Sequence, residues 1–262
     1  MESKQELKVV LIQQDLQWED KVANINLFDT CIKSLSAAAD IIVLPEMFST
    51  GFTMQAEVFA EEMSGRTIQK MQEWAKDSNA VICGSIIIKE DQKFFNRFIW
   101  VEPNGKIEKY DKAHLFRMGE EEQHYTRGSE QLLLNYKGWK IAPFVCYDLR
   151  FPVWLRRTEK FDFDLMIFVA NWPERRSKHW DLLLQARAVE NQSYVLAVNR
   201  IGNDGKQIYH SGNSAVIDPL GNIVFKLEHE AMVKEIVLSK ASLDNYRESF
   251  PLGLDTDKFE IC

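Results

Sequence analysis

One thiol stands at a position suited to chemistry. The apolar run that begins at Trp139 ends at Val145, and Cys146 is followed by a turn toward charge through Tyr147, Asp148, Leu149, Arg150, Phe151 and Pro152. In layered α/β folds the ligand crevice lies outside the carboxyl ends of the strands, and a cysteine there is placed as a nucleophile. Taken alone the position says little, because free cysteine is among the most buried residue types and a lone one is most simply core. A second strand end supplies a carboxylate. The stretch from Ala39 to Leu44 reads as a buried strand, Pro45 closes it, and Glu46 follows directly. A carboxylate there is costly to bury unless it is paired or does work. A third apolar run, Asp164 to Ala170, ends in Asn171-Trp172-Pro173. Glu46 and Cys146 can therefore face one pocket, a carboxylate beside a thiol.

Composition narrows what such a pair would serve. The chain has 262 residues, 45% hydrophobic and 27% charged, the balance of an ordinary folded protein with a full core. A single domain over residues 1–262 is expected. The net charge is −7, and basic residues cluster only in short pairs such as Arg156-Arg157 and Arg175-Arg176. That argues against a phosphate-tracking surface, so no nucleic-acid partner is expected. Met1 to Lys8 lacks the apolar core of a signal peptide, and no later run is long enough to span a bilayer. A cytoplasmic location without a membrane partner follows as the expectation. Cys31, Cys83, Cys146 and Cys262 are scattered and form no Cys-x-x-Cys pair, which predicts free thiols.

The elements that must position these residues follow from periodicity. Leu7 to Ile12 reads as a first buried strand. Val22, Ile25, Phe28, Ile32 and Leu35 recur at helical spacing, with Cys31 packed beside that stripe. Ile68 to Ser78 is a cover helix. Ala80 to Ile88, with Cys83 as core, and Phe94 to Val101 are strands, and Pro103-Asn104-Gly105 turns the chain into a short strand, Lys106 to Tyr110. The segment Tyr110 to Phe116 is too polar for a core strand and leads to Glu120-Glu121-Glu122, so it reads as an exposed loop with a solvated acidic run. Pro152 suits the first turn of a helix through Val153, Trp154 and Leu155, whose positive end would favour a thiolate at Cys146. A helix from Lys178 to Gln192 and a strand from Tyr194 to Asn199 come next. Asn203-Asp204-Gly205 marks a turn, and late strands, Ser214 to Ile217 and Met232 to Val237, are joined through Pro219-Leu220-Gly221-Asn222. The alternation predicts the α/β class with mixed sheets and no internal repeat.

Three motifs stand in order: Leu44-Pro45-Glu46-Met47-Phe48, Tyr110-Asp111-Lys112-Ala113-His114-Leu115-Phe116, and Val145-Cys146-Tyr147-Asp148-Leu149-Arg150-Phe151-Pro152. They resemble the Glu, Lys and Cys motifs of the nitrilase (carbon-nitrogen hydrolase) superfamily, and the resemblance covers nearly the whole chain. Phe48-Ser49-Thr50-Gly51-Phe52, Asn171-Trp172-Pro173 and the stretch from His179-Trp180 through Gln185-Ala186-Arg187-Ala188-Val189-Glu190-Asn191 are most similar to its ω-amidase branch, which hydrolyses 2-oxoglutaramate-like amides. The resemblance implies a four-layer αββα sandwich, a homodimer formed through helices flanking the Cys and Asn-Trp-Pro strands, and a second glutamate after Lys112. Counting back from Arg127-Gly128, Glu121 matches best, while Glu120 and Glu122 stay open because the run is unbroken. No cofactor or metal is implied, and no histidine cluster has ligand spacing.

The resemblance gives these residues roles. Cys146 attacks a small-molecule amide, Glu46 takes the thiol proton and returns it to the leaving ammonia, and the same carboxylate then activates the water that cleaves the thioester. Lys112 and the backbone N–H of Tyr147 hold the oxyanion, and Glu121 orients Lys112 or the substrate amide. A substrate carboxylate needs a cation, for which Arg176 is expected and Arg175 and Arg117 are alternates. Phe48, Phe116 and Trp172 are expected as the apolar wall. Arg150, Arg187 and Glu190 read as a structural ion network, with Asp148 and Arg150 holding the turn. A Cys-His pair through His114 or His179 is the rival mechanism, although both histidines read as structural. The rival functions are an N-carbamoyl or other linear-amide hydrolase, a true nitrilase, and, from another class, a non-catalytic dimeric interaction protein. Intact Glu46, Lys112 and Cys146 tell against the last.

Overall fold

The computed structural model describes residues 6–35 and 38–261, so Cys262, expected as a free thiol, and the first five residues of the polar N-terminus lie outside the described residues. The first half of the chain forms strands β1 (Glu6–Gln13), β2 (Ile41–Val43), β3 (Val81–Glu90), β4 (Lys93–Val101) and β5 (Ile107–Asp111). Its helices are α1 (Lys21–Lys33), α2 (Ala56–Phe59), α3 (Arg66–Ser78) and α4 (Glu121–His124). The second half adds β6 (Leu134–Tyr136), β7 (Trp139–Val145), β8 (Leu165–Ala170), α5 (Ser177–Asn191), β9 (Tyr194–Asn199) and β10 (Ile201–Asn203). It ends with β11 (Tyr209–Ile217), β12 (Ile223–Glu228), β13 (Met232–Ser239) and α6 (Lys240–Ser249). The Asp20 carboxylate starts α1 by accepting the Ala23 N–H at 2.9 Å, and Asn79 ends α3 in left-handed backbone.

One sheet runs in the order β13-β1-β2-β3-β4-β5, the other β10-β11-β9-β8-β7-β6 with β12 added on β11. The central trios, β1-β2-β3 and β7-β8-β9, are parallel, and antiparallel strands flank both. This is the mixed arrangement expected where helical crossovers alternate with hairpins. Alternation along the strands then builds the layers. Leu7, Val9 and Leu11 of β1 join Ile141, Ile167 and Leu196 of the second sheet in the core between the sheets. Val10 and Ile12, on the other face, pack with Phe28 of α1 and with Met71 and Trp74 of α3. Trp180, Leu184 and Ala188 seat α5 on the second sheet. The result is a four-layer αββα sandwich, and strands covered on both faces explain the nearly unbroken apolar runs in the sequence. Among the described residues, no helix is long and apolar enough to cross a membrane.

Two local expectations change. The sequence pattern joins the strands near 217 and 232 by one turn, whereas the exposed strand β12 lies between them, its weak burial leaving little apolar signal. No α-helix starts at Pro152. Cys146–Arg150 is instead a short 3-10 helix followed by turns. Arg187 donates from Nε and Nη2 to the Leu149 carbonyl at 3.1 and 2.9 Å, occupying an acceptor that a continuing helix would use.

Candidate active site

The parallel strands of both sheets deliver their end residues to one place. Leu44 and Pro45 carry the chain from β2 to Glu46, β7 ends just before Cys146, and β8 just before Asn171. Asn171 ties the two sheets together. Its backbone N–H donates to Glu46 Oε2 at 2.7 Å, and its side-chain Nδ2 donates to the Glu46 carbonyl at 2.6 Å. Cys146 turns the strand into the 3-10 helix in left-handed backbone, φ 46°, a conformation that costs a non-glycine residue strain and persists only where its surroundings impose it. Asp148 supplies that imposition. Its carboxylate accepts the Val145 N–H at 3.0 Å, the His114 N–H at 2.9 Å and the Tyr110 hydroxyl at 2.8 Å. The Cys146 Sγ lies 4.0 Å from the Asn171 carbonyl oxygen.

The segment 110–116 is not the exposed loop its polarity suggests. Tyr110 is 2% exposed and Lys112 1%, because each polar group in the segment meets a buried partner rather than water. Lys112 Nζ donates to Glu46 Oε1 at 2.9 Å and to the two Glu121 oxygens at 3.0 and 2.9 Å, with all three side chains fully buried. Nor is the acidic run solvated throughout. Glu120 is exposed in left-handed backbone, which turns Glu121 inward at the start of α4, and Glu122 reaches toward Arg117 at 3.8 Å. The Phe116 N–H completes the hold on Glu121 Oε2 at 2.5 Å.

Burial sets the electrostatics of this cluster. Burial alone would lower the Lys112 ammonium, but the Glu121 and Glu46 carboxylates outweigh it and hold the proton more tightly than usual. Burial pushes the Glu121 carboxyl up, against the pull of Lys112. Burial, with the Glu46 carboxylate added to it, also pushes the Cys146 thiol well up, and Lys112 offsets only part of that. The direction of that shift favours the thiol over the thiolate. This corrects the expectation of a helix-stabilised thiolate, since the helix that would supply the field does not form.

Cys146 opens onto a cavity of about 220 Å³ whose lining includes Lys112, Phe116, Tyr147, Trp172 and Arg176. Of the aromatic wall expected from sequence, Phe116 and Trp172 are in place. Phe48 is not: it is fully buried on the helix side of the first sheet, against Phe28 and Trp74 at ring distances of 5.4 and 6.3 Å. The β2 end turns at Met47, whose φ is 42°, so the residue after it points into the core. Phe52 takes up the wall, with Lys112 Nζ 5.0 Å from its ring centre. Arg150 also departs from expectation. Arg187 pairs with Glu190 at 3.0 Å, but Arg150 lines the cavity, stacked over Trp172 at 4.6 Å and Tyr147 at 5.9 Å. Arg176 lies 5.1 Å over the Phe116 ring, and among the described residues neither Arg150 nor Arg176 is paired with a carboxylate. Burial and the like charges of Arg175 and Arg150 press the Arg176 guanidinium down, so an anion bound there would relieve it. Arg175 lines the cavity too, whereas Arg117 does not.

His114 accepts or donates at Nδ1 to Asp148 at 2.8 Å and stacks on Phe151 at 3.8 Å, while His179 Nδ1 meets Arg150 at 3.2 Å. His210, unremarked in the sequence, lines the cavity, and burial lowers its imidazole to about 4. Among the described residues none of the three is hydrogen-bonded to Cys146. His114→Gln and His179→Gln should each keep kcat within about tenfold of the native value, well short of the roughly 10²–10⁴-fold that a lost general base costs. A kcat loss of that larger size in a folded variant would restore the Cys-His mechanism.

A larger groove of about 1060 Å³ under the C-terminal segment shares no lining residue with this cavity and contains no cysteine, so volume alone does not mark the site. Comparison with known proteins bears on the cavity with the thiol. The carbon-nitrogen hydrolase family model matches residues 8–247. The omega-amidase YafV of Escherichia coli (strain K12) is 44% identical over 97% of this chain and 98% of its own length. The 2-oxoglutaramate amidase of Bacillus subtilis (strain 168) is 31% identical over 94% of this chain and 96% of its own. The crystal structure of XC1258 from Xanthomonas campestris, a CN-hydrolase superfamily protein with an arsenic adduct in the active site, matches with a TM-score of 0.97 at 40% identity, covering 99% of this chain and 100% of that one.

Proposed function

We propose that this chain, which belongs to the carbon-nitrogen hydrolase family, is an ω-amidase that hydrolyses the terminal amide of a small ω-amido 2-oxo dicarboxylate such as 2-oxoglutaramate or 2-oxosuccinamate. The observation that carries the reading is the buried Glu46–Lys112–Glu121 cluster beside Cys146, in a cavity whose lining includes Arg150 and Arg176. Identity to an omega-amidase over nearly the full length supports the same substrate class.

In this mechanism the Cys146 sulfur attacks the amide carbon as its proton passes to Glu46, which suits a site whose burial favours the thiol over the thiolate. The C=O electrons move onto oxygen, where the Lys112 ammonium and the Tyr147 backbone N–H receive the charge; losing one such donor typically costs about 3 kcal/mol of barrier. The C–N bond breaks as Glu46 returns the proton to the departing ammonia, leaving a thioester. Glu46 then takes a proton from water, the hydroxide adds to the thioester carbonyl, and the C–S bond breaks as Glu46 returns that proton to the departing sulfur, giving the acid and the thiol. Glu121 holds Lys112 in place. Its bidentate contact fixes an ammonium that would otherwise have three rotatable donors to distribute.

Arg176, with Arg150 in the same cavity lining, would hold the substrate carboxylate. Tyr147, Phe116 and Trp172 form the walls. A homodimer through α5, whose Leu182 and Val189 are exposed, and a reducing cytoplasm that suits the free thiols Cys31 and Cys83 belong to the same reading. Ammonia release from 2-oxoglutaramate and 2-oxosuccinamate, compared with a nitrile and an N-carbamoyl amine, tests it. Turnover of the ω-amides should dominate, and preference for the N-carbamoyl compound would move the chain to another activity of the family. In the same assay Arg176→Ala should raise KM for the ω-amides roughly ten- to hundredfold, the cost of a charged hydrogen bond, and leave a neutral amide nearly unchanged. Equal effects on both would refute the carboxylate role.

A further inference from the structure

Glu46 and Glu121 both press on one ammonium, and a single lysine cannot by itself dictate where each carboxylate points. Asn96, in the middle of β4 and fully buried, touches the whole cluster. Its carbonyl accepts the Lys112 backbone N–H at 3.0 Å. Its side-chain Nδ2 donates to Glu46 Oε1 at 2.8 Å and to Glu121 Oε1 at 3.3 Å, so its two amide hydrogens have one carboxylate each. The amide cannot flip without loss. Ser85 Oγ accepts the Met47 N–H at 2.9 Å, which leaves its own hydrogen to donate to Asn96 Oδ1 at 2.8 Å. A flipped amide would set its oxygen against two carboxylates and its NH₂ against the serine hydroxyl. The same serine thus pins the strained Met47 backbone next to Glu46 and the orientation of Asn96.

We propose that Asn96, oriented by Ser85, is a positioning residue for the reaction: it aims the Glu46 carboxylate at the thiol and separates it from Glu121, so that Glu46 rather than Glu121 exchanges the proton. The inference rests on the amidase reading of Glu46. A carboxylate that loses a donor to its charged form holds its proton to higher pH. The ionisable groups gathered around the amide are Glu46 at the end of β2, Glu121 in α4, Lys112 after β5, Cys146 after β7 and Tyr125 after α4. None of them can replace the missing donor, because Lys112 already serves both carboxylates.

The test compares Asn96→Ala and Asn96→Asp with the native protein. Against the ω-amide, kcat should fall by about a hundredfold or more while KM stays within about threefold, the pattern of an interaction used in the transition state. The acid limb of the kcat/KM profile should move to higher pH, and alkylation of Cys146 by iodoacetamide should slow by about tenfold or more as the base loses its aim. An unmoved acid limb with kcat reduced only in proportion to the folded fraction would make Asn96 merely structural and overturn the proposal. If neither variant folds, Ser85→Ala decides, because it frees the amide to flip; it should shift the same limb, and an unchanged limb and alkylation rate again overturn the proposal. Should the native protein hydrolyse no ω-amide, the functional reading fails, while the iodoacetamide comparison still judges Asn96.

Discussion

Cys146→Ala should abolish amide turnover, lowering kcat by about 10⁵-fold or more, as removal of the nucleophile does in other covalent hydrolases. The expected loss is chemical rather than structural. Alanine keeps the β-carbon at the strained φ of 46°, so the substitution adds no backbone cost, and the Asp148 contacts that hold the turn are untouched. Deleting one buried sulfur should cost on the order of 1 kcal/mol, which for a chain of this size lowers Tm by only about 2 to 4 °C. Ammonia release and calorimetry on the same sample separate the two effects. Mass spectrometry of the quenched native enzyme should show an acyl adduct on Cys146 that the variant lacks. Turnover within a hundredfold of native would remove the thiol from the reaction and leave Glu46 and Lys112 to direct water attack.

The strands that carry Glu46, Cys146 and Asn171 were legible because both faces of each are covered, so their apolar runs stop where the cavity begins. Lys112 was legible only through its motif. Its burial rests on Glu46 and Glu121, partners 66 and 9 positions away, and no local pattern announces a pairing that the fold alone creates. The same holds for the choice among Glu120, Glu121 and Glu122, which one left-handed residue at 120 decides. Phe48 misled because an aromatic two residues past a strand end has no way to declare its face until the Met47 backbone is known. Arg150 misled for another reason. A charged residue in a tight turn is usually a holder, but Asp148 already fills that part, which frees the guanidinium to stack on Trp172. Asn96 did leave a signal, since Asn96-Arg97 interrupts an apolar strand. Arg97 finds Asp111 and Glu90 on one face, and Asn96 finds the buried carboxylates on the other.

Lys112→Met should be the most damaging substitution for stability, and it should slow turnover as well, by about the 3 kcal/mol of a lost oxyanion donor. It removes the proposed oxyanion donor, and it leaves two fully buried carboxylates facing each other with Asn96 as their remaining shared donor. Breaking a buried ion pair by deleting one partner costs about 3 to 5 kcal/mol, which for this chain length is roughly 6 to 20 °C in Tm. The pH dependence distinguishes this cause from a packing defect. Burial already pushes the Glu121 carboxyl up in the native protein, with Lys112 pulling against it. Without the ammonium that pull is lost, and the folded variant must hold a proton that the unfolded chain releases. A carboxyl whose folded pKa is raised stabilises the fold below its unfolded value near 4 and loses that contribution as pH rises through the folded value. The Tm gap between native protein and variant should therefore be widest near pH 8 and narrow toward pH 5. Lys112 itself adds no slope in that window, because its own proton is held above the ordinary lysine range. A gap that stays constant from pH 8 to pH 5 would mean that the methionine fails by shape, and that the two carboxylates are not the reason Lys112 is buried.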